Sequence, residues 1–352
     1  MPLLTRMIGA PLTIDIRAGA IAGLAPLLAD RRISAGGHVA IVVGPGQGEE
    51  IAAIVGPSCA NAVIWPVEGG TIESANALAD KLRGGFYDAL VGIGGGRILD
   101  TAKWAATLTG LPMVAVPTNL AHDGIASPVA SLEHRGRKGS YGVQMPIAVV
   151  VDIDHVRRSP ARMRRSGIGD AISNLSAIAD WRLAERERGE HVDGLAVTFA
   201  RTAAEEILHR TDGIDDDAFL IALAEALVLS GLAMSVAGSS RPCSGSDHEI
   251  LHAVNDLYPG TSNHGELAGV GALFAAYLRD DESLAAQLDE CLWRHGLPRL
   301  PEDVGLTVEQ FAAAVVHAPT TRPDRYTILE HLALDHEQVR KRLEDFIDSY
   351  KR

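Results

Sequence analysis

The sequence predicts an α/β N-terminal domain with a doubly wound parallel sheet, followed by an all-α C-terminal domain. In the first half of the chain, short β-rich runs alternate with helix-length stretches, and that order produces a parallel sheet. From Ala161 onward nearly every hydrophobic pattern is helical. A chain of 352 residues, 47% of them hydrophobic, can bury two cores of this kind. The two predicted domains comprise residues 1–160 and 161–352, and the cleft between them is the expected place for an active site.

The elements of the first domain follow from short apolar runs separated by amphipathic stretches. The segment around Asp15 and Arg17 predicts a strand followed by a helix, and its early charges are unlike a signal peptide. The other predicted strands are residues 38–43, 62–66, 88–93, 113–116 and 147–152. The helices between them are predicted at residues 49–55, 71–82 and 98–108. A loop and hairpin region around residues 135–139 precedes the last strand.

Composition favours a protein that acts on small molecules. The net charge is −13 and the basic residues form no long block, which argues against a nucleic-acid or anionic-membrane surface. The three cysteines are far apart and form no CxxC motif, so we expect neither disulfides nor a thiolate metal site, and a reducing cytoplasm fits best. Residues 218–237 are the most apolar segment, but Glu225 and many small residues indicate a buried core helix rather than a membrane span.

Three histidines and one aspartate predict a metal site in the second domain. His248 and His252 are four residues apart and share a face if their segment is helical. His264 follows Ser-Asn, a signal for the start of a helix. We favour Asp170 as the carboxylate ligand, because the glycines before it allow a close approach of the backbone, and such a set leaves a position open for substrate oxygen. The alternative is that each histidine is an ordinary polar residue of a helix.

A run of glycines between a predicted strand and a predicted helix favours a phosphate-binding turn. Gly94, Gly95 and Gly96 let the backbone approach an anion, and the helix that begins near Arg97 adds its positive N-terminal end. The run is not the GxGxxG motif of a standard dinucleotide fold, so a tight packing turn is the alternative.

Four polar residues near this turn are candidates for contact with a cofactor. Asp100 and Lys103 lie on the first turns of the helix, where Lys103 can reach toward the loop or the nicotinamide end. A solvated helix face would explain both residues as well. Thr118 and Asn119 end the next strand, at the carboxyl edge of the sheet where ligands bind in open α/β folds.

Three blocks of sequence together resemble the sn-glycerol-1-phosphate dehydrogenase family. They are GGGRILDTAK at 94–103, PTNLAHDGIASPVAS at 117–131, and GIGDAISN at 167–174 with DWRLA at 180–184. This family belongs to the group of iron-type alcohol dehydrogenases, glycerol dehydrogenases and dehydroquinate synthases. The likeness extends from about residue 38 to residue 280, and the last 70 residues carry no recognisable motif.

The resemblance implies roles for individual residues. It implies that Asp170, His248 and His264 bind a metal, and that the glycines 94 to 96 hold the cofactor pyrophosphate. Thr118 and Ser127 would lie along the nicotinamide, and Asp123 would face the substrate. A dehydroquinate synthase-like fold, a role in phospholipid metabolism and a homo-oligomer, a dimer or larger, are implied as well.

The implied reaction is reversible hydride transfer between NADPH or NADH and dihydroxyacetone phosphate, giving sn-glycerol 1-phosphate. A divalent metal would act as a Lewis acid; zinc is favoured, although nickel and iron are also used in the group. One alternative is a dehydrogenase of the same type that acts on another polyol or ketone in a specialised pathway. Another is a carbon–oxygen lyase like dehydroquinate synthase, which typically has a glutamate where Asp170 stands. A third is a member that has exchanged catalysis for a binding or regulatory role.

Three further expectations concern details of the site. Gly44 follows a predicted strand at a position where relatives strict for NAD tend to have an aspartate, so we expect NADPH to be accepted. His252 could pass a proton to solvent, or it could be a packing residue beside the metal. The substrate phosphate needs cationic donors, and the basic candidates in the hairpin region are Arg135, Arg137 and Lys138.

Overall fold

The computed structural model describes residues 8–59 and 61–351, which divide into two compact units. The first unit holds the described residues up to 119, together with 124–159 and 234–239. The second unit holds residues 120–123, 160–233 and 240–351. A four-residue segment that leaves the sheet of the first unit therefore belongs to the second, where it contributes to the site described below.

A parallel sheet forms the core of the first unit. Its strands are β1 (Thr13–Arg17), β2 (Val39–Val43), β3 (Ala62–Pro66), β4 (Ala89–Gly94), β5 (Met113–Pro117) and β8 (Ala148–Asp152), in the order β1-β8-β5-β4-β2-β3. Strands β2, β4, β5 and β8 are buried along their whole length, as expected for strands covered on both faces. The chain passes from β2 outward to β3 and then returns to the other side of β2, so the topological switch point lies between β2 and β4.

Short helices and one hairpin complete this unit. The helices are α1 (Leu24–Leu28), α2 (Gln47–Val55), α3 (Ile72–Arg83), α4 (Gly96–Thr109) and α5 (Ile153–Arg157). The hairpin consists of the antiparallel strands β6 (Val129–His134) and β7 (Arg137–Gly142). Its two turn residues, Arg135 and Gly136, both have positive φ angles, 52° and 78°, which is typical of a tight two-residue turn. The predicted doubly wound parallel sheet is confirmed.

The described part of the second unit is helical. Its helices are α6 (Ala161–Arg188), α7 (Gly194–Leu208), most of α8 (Asp217–Ala237), α9 (Ser246–Leu257), α10 (His264–Leu278), α11 (Glu282–Arg294), α12 (Val308–His317), α13 (Ile328–Leu332) and α14 (His336–Tyr350). Helix α8 is long and apolar enough to cross a membrane, but 72% of its most apolar 18-residue segment is buried. Such burial is the property of a core helix, as its many small residues predict.

The C-terminal residues without a recognisable motif are part of the core of the second unit. Phe346 of α14 is fully buried and packs edge-on against Phe274 of α10, with ring centroids 5.2 Å apart. Phe311 of α12 contacts the same ring at 5.7 Å. Aromatic pairs in this geometry contribute about 0.5–1.5 kcal/mol beyond the area they bury. The last helices therefore hold α10, and with it His264, in place.

Candidate active site: an Asp-His-His triad and a glycine-rich turn

Three ligand atoms in the second unit lie around one point. The Nε2 atoms of His248 and His264 are 3.2 Å apart, and Oδ1 of Asp170 lies 3.7 Å from the first and 3.2 Å from the second. A circle through three atoms with these separations has a radius of about 2.0 Å, the usual length of a Zn–N or Zn–O bond. The three residues could therefore hold one divalent ion without rearrangement.

The triad forms because two helices approach at glycines. A Cβ atom at Gly265 would lie 1.8 Å from the carbonyl oxygen of Ser166, and one at Gly169 would lie 2.2 Å from the carbonyl oxygen of Gly265. Real side chains never come so close, so only glycine permits this contact between the backbones of α6 and α10. As a consequence, Asp170 and His264, each one residue away from such a glycine, face each other.

Segment 120–123 closes one side of the triad. The backbone N–H of Asp123 donates to Oδ2 of Asp170 at 2.8 Å, and the Ser166 hydroxyl donates to the carbonyl oxygen of Ala121 at 3.0 Å. The ring of His122 lies 5.3 Å from that of His264, centroid to centroid. Asp123 thus sits beside the triad, and its role in facing the substrate stays a prediction.

Asp170 has the properties of a metal ligand. It is 3% exposed, and its Oδ1 atom is buried with no hydrogen bond of ordinary geometry from the described residues. Burial alone would raise the pKa of Asp170, but its interactions with His248 and His264 outweigh burial and hold that pKa below its usual range. The carboxylate therefore favours a positive charge at this point, which a protonated imidazole supplies in the absence of metal and which a bound metal ion would supply in its place.

Asp247 fixes the orientation of the His248 ring. Its carboxylate is fully buried and accepts a short hydrogen bond from Nδ1 of His248. With Nδ1 held by Asp247, Nε2 is the ring nitrogen that faces the triad, and its lone pair would bind a metal ion that displaces its proton. Burial lowers the pKa of His248, but the carboxylates of Asp247 and Asp170 act in the opposite direction and raise it to about 10.

Asp180 anchors the start of the helix that carries His248. Its Oδ2 atom accepts from the backbone N–H of Ser246 at 2.7 Å and from the Ser246 hydroxyl at 2.6 Å. Its Oδ1 atom accepts from the N–H of Ile328 at 2.9 Å and pairs with Arg279 at 2.6 Å. Asp180 is fully buried, so it joins α6, α9 and α13 through one charged group. Asp180 begins the DWRLA block of the family resemblance, but the sequence predicts no role for it.

We expect Asp180→Asn to weaken both folding and metal binding. The variant removes the fully buried carboxylate that pairs with Arg279, and breaking a buried pair costs about 3–5 kcal/mol. Denaturant unfolding measures the stability, and a competition assay with a chelator measures the metal affinity. The control is Asp212→Asn, which breaks a partly exposed pair with Arg210 and should cost less. Unchanged metal affinity in Asp180→Asn would show that Asp180 does not position His248.

His252 lies beside the triad, outside the set of ligands that the geometry brings together. Its ring centroid is 6.5 Å from that of His248, and its Nε2 accepts a hydrogen bond from Arg322 at 3.0 Å. Burial and the positive charge of Arg322 hold the pKa of His252 well below its ordinary value. The role of His252 as a proton relay stays a prediction, and the structure adds that it orients a guanidinium.

The glycine-rich turn lies in the first unit, at the carboxyl end of β4. Gly94 ends this strand, Gly95 is the N-cap of α4 and Gly96 is its first residue. A Cβ atom at Gly95 would lie 2.8 Å from Nδ2 of Asn119, so the strand ends pack closely here. The first N–H groups of α4 have no partner within the helix and can receive an anion.

Asp100 and Lys103 form a buried pair under the neighbouring loop. Their side chains are 2.9 Å apart, and Lys103 is fully buried, so the interpretation as a solvated helix face is wrong. The Lys103 ammonium donates to the carbonyl oxygens of Gly124 at 2.9 Å, Ser127 at 3.3 Å and Val129 at 2.5 Å. The pair therefore holds residues 124–131 against α4; direct contact with a cofactor stays a prediction.

The remaining cofactor candidates lie around the same turn. Thr118 is 8% exposed, and its N–H donates to the carbonyl oxygen of Gly94 at 3.0 Å. Ser127 is 2% exposed, and its hydroxyl donates to the carbonyl oxygen of Val129 at 3.3 Å. Gly44 directly follows β2 at the switch point, and a Cβ atom there would lie 2.6 Å from Cγ1 of Ile98. Packing against α4 thus explains why this position is glycine.

The basic residues of the hairpin are exposed. Arg135, Arg137 and Lys138 occupy the β6–β7 turn and the start of β7, where each side chain faces solvent. Two other arginines, Arg322 and Arg325, lie near His252 in the second unit, and sequence reasoning missed both because the C-terminal segment carries no motif.

Comparisons with known proteins identify the family of the chain. A glycerol-1-phosphate dehydrogenase [NAD(P)+] of Staphylothermus marinus is 36% identical over 277 residues, covering 78% of each chain. That of Methanosarcina barkeri is 41% identical over 242 residues, covering 68% of this chain and 67% of the other. The chain belongs to the glycerol-1-phosphate dehydrogenase family. The family model of iron-containing alcohol dehydrogenases matches residues 15–160. The resemblance on which the residue roles depend is confirmed.

Solved structures with this family's fold are similar along the whole chain. A probable glycerol dehydrogenase from Sinorhizobium meliloti has a TM-score of 0.78 and 21% identity, covering 99% of both chains. A glycerol dehydrogenase from Schizosaccharomyces pombe has a TM-score of 0.74 and 21% identity, covering 98% of this chain and 91% of the other. At these identities the likeness shows the fold, and the predicted fold class is confirmed.

Proposed function

We propose that the protein is a metal-dependent NAD(P)H oxidoreductase that reversibly reduces dihydroxyacetone phosphate to sn-glycerol 1-phosphate. The triad of Asp170, His248 and His264, in a chain of this family, is the observation that carries the proposal. These residues would hold one divalent ion, and zinc suits their nitrogen and oxygen atoms best, with nickel or iron as alternatives. The substrate is a small phosphorylated ketone, and we expect a cytoplasmic homo-oligomer.

Each bound group supplies one part of the chemistry. When bound, the metal ion would supply Lewis-acid polarisation of the substrate carbonyl, and the reduced nicotinamide would supply the hydride that the carbonyl carbon accepts. The carbonyl oxygen takes a proton, so one NAD(P)H and one proton are consumed for each alcohol formed. Asp123, whose backbone N–H donates to Asp170, would orient a substrate hydroxyl, and His252 is our candidate for the proton path.

The cofactor is held by the first unit. Gly94, Gly95 and Gly96 would receive the pyrophosphate at the N-terminus of α4, with Asn119 beside them. Thr118 and Ser127 would line the nicotinamide, and the buried pair of Asp100 and Lys103 would keep their loop in position. The support for this placement is the location of the turn at the switch point of the sheet.

A substrate panel tests the proposed function. Purified, metal-loaded enzyme is assayed with NADPH and NADH on dihydroxyacetone phosphate, dihydroxyacetone and other ketones, and the chirality of the product is determined. We expect dihydroxyacetone phosphate to be reduced with the highest kcat/KM and to yield the sn-1 phosphate. Much faster reduction of dihydroxyacetone would indicate a glycerol-type dehydrogenase. Reduction of neither compound would favour the specialised-pathway alternative, and release of inorganic phosphate from a sugar phosphate without net NAD(P)H consumption would favour the lyase.

We expect NADPH to be used at least as well as NADH. Gly44 carries no acid that could repel a 2′-phosphate, and Ile98 blocks the space that such an acid would need. The double variant Gly44→Asp/Ile98→Ala makes room for a carboxylate and should shift kcat/KM toward NADH by about tenfold or more, because like charges repel. Its matched control is Gly44→Ala/Ile98→Ala. A hundredfold preference of the unmodified enzyme for NADH would contradict the expectation.

A further inference from the structure

Two arginines of the C-terminal segment lie next to α9, the helix of the second unit that carries His248. Arg322 and Arg325 belong to the stretch between residues 318–321 and α13, for which the sequence offered no role. We propose that Arg322 binds the phosphate of the substrate and that Arg325 supplies a second positive charge to the same subsite. This inference rests on the proposed function, because it names the residues that select a phosphorylated ketone.

Arg322 contacts a histidine on the same helix as the metal ligand His248. Its Nη2 atom donates to Nε2 of His252 at 3.0 Å, and the ring of His252 lies 6.5 Å from that of His248. His252 is one helical turn after His248, so it shares the face of α9 that bears the metal ligand. In dihydroxyacetone phosphate, one methylene and one ester oxygen separate the carbonyl from the phosphorus. A ketone at the triad would therefore bring its phosphate to the region of this guanidinium.

Arg325 is held by hydrogen bonds to two serines. Its guanidinium donates to the hydroxyl of Ser240 at 2.6 Å, to the hydroxyl of Ser244 at 3.0 Å and to the Ser244 carbonyl oxygen. All of these acceptors are neutral. Among the described residues, the carboxylates that act on Arg325 electrostatically, Glu249 and Asp247, form no hydrogen bond with it. The charge of Arg325 is thus held in place by serines and is not neutralised by contact.

Three arginines of the second unit with little solvent exposure differ from Arg325 in their partners. Arg241 pairs with Glu190 at 2.6 Å, Arg279 with Asp180 at 2.6 Å and Arg299 with Asp289 at 2.6 Å. Each of these guanidiniums has a carboxylate as its direct partner, which is the usual way to bury an arginine. Arg325 departs from that pattern, and it does so directly before the helix that carries His248.

The electrostatic environment favours an added anion. Burial lowers the pKa of Arg325 to about 10, and the neighbouring guanidiniums of Arg322 and Arg241 act in the same direction. Burial also lowers the pKa of Arg322, although the carboxylates of Asp324 and Glu249 act in the opposite direction. A phosphate near both would relieve their mutual repulsion and accept charge-assisted hydrogen bonds, for which the planar guanidinium is well suited.

His252 and the serines keep the subsite in one arrangement. An arginine side chain has many rotamers, and fixing it before the substrate arrives reduces the entropy lost on binding. The acceptor at His252 fixes one guanidinium, and Ser240 and Ser244 fix the other. The basic side chains of the β6–β7 hairpin are exposed to solvent and are not fixed in this way. The structure therefore favours the arginine pair over the hairpin as the source of hydrogen bonds to the substrate phosphate.

The test compares Arg322→Gln with the charge-retaining Arg322→Lys and with Arg340→Gln, which alters an exposed arginine of α14. Steady-state kinetics are measured on dihydroxyacetone phosphate and on dihydroxyacetone, and calorimetry measures the binding of inorganic phosphate. We expect Arg322→Gln to lower kcat/KM for the phosphorylated ketone by about 10–100-fold, mainly through KM, as the loss of a charged hydrogen bond predicts. The loss on dihydroxyacetone should be at least tenfold smaller. Arg322→Lys should retain part of the preference, and phosphate binding should weaken in Arg322→Gln but not in Arg340→Gln.

Three results would overturn the inference. They are an equal loss on both ketones, unchanged phosphate binding in Arg322→Gln, and a selective loss in Arg137→Gln of the hairpin in place of Arg322→Gln. Failure of the proposed function looks different, because the unmodified enzyme would then not reduce dihydroxyacetone phosphate at all. Calorimetry still decides in that case: phosphate binding that depends on Arg322 supports the subsite, and binding that does not depend on it contradicts the subsite.

Discussion

Replacing His264 by alanine should remove the metal ion and the activity together. Two protein ligands would remain, which is too few for a stable catalytic site. Oδ1 of Asp170 would then be a buried carboxylate oxygen with one imidazole for a partner, so its charge would be less well compensated. We expect the same result for His248→Ala and for Asp170→Ala. Metal content after dialysis and kcat, both relative to the unmodified protein, measure the effect.

The matched control for this prediction is His252→Ala. Its imidazole lies one turn from His248 but outside the set of three ligand atoms, so the variant should retain the metal. We expect its activity to fall by about 10–100-fold, the usual effect of altering a residue that supports a metal site without binding the ion. A His264→Ala protein with full metal occupancy and turnover would disprove the triad. Metal loss in His252→Ala would mean that the ligand set is wrong.

Periodicity and spacing were sufficient for the fold and for the triad. The β-rich runs predicted the central strands to within a residue or two, because strands buried on both faces are continuously apolar. The interval of four residues in α9 and the Ser-Asn signal before α10 placed the histidines on helix faces. Asp170 was identified from the glycines around it, and those glycines are the residues at which α6 and α10 touch.

The residues that support the triad could not be predicted, because their partners are distant in sequence. Asp180 bonds Ser246 across 66 positions, and Arg322 bonds His252 across 70. No periodic pattern links such pairs, since the contact exists only once the helices have packed. The burial of Lys103 could not be predicted either. Its spacing from Asp100 is that of a solvated helix pair, yet three backbone carbonyls and one carboxylate allow the ammonium to be fully buried.

Replacing Gly265 by alanine should destroy the site without changing any ligand. Alanine normally stabilises a helix relative to glycine by about 1 kcal/mol. Here the added methyl group would lie 1.8 Å from the carbonyl oxygen of Ser166 and 3.0 Å from the backbone nitrogen of Asp170, and neither backbone atom can move independently of its helix. The helices α6 and α10 would have to separate, at a cost of about 3 kcal/mol or more. That separation would draw His264 away from Asp170.

We therefore expect Gly265→Ala to lose metal affinity and activity by at least about 100-fold, and to unfold at a lower denaturant concentration. The control is Gly194→Ala in α7, where an added Cβ meets no atom within 4 Å and the change should be neutral or stabilising. Metal titration separates the loss of metal affinity from the loss of stability in Gly265→Ala, because it measures the affinity of the molecules that remain folded. A Gly265→Ala protein that binds metal as tightly as the unmodified enzyme would show that the triad does not depend on contact between these two helix backbones.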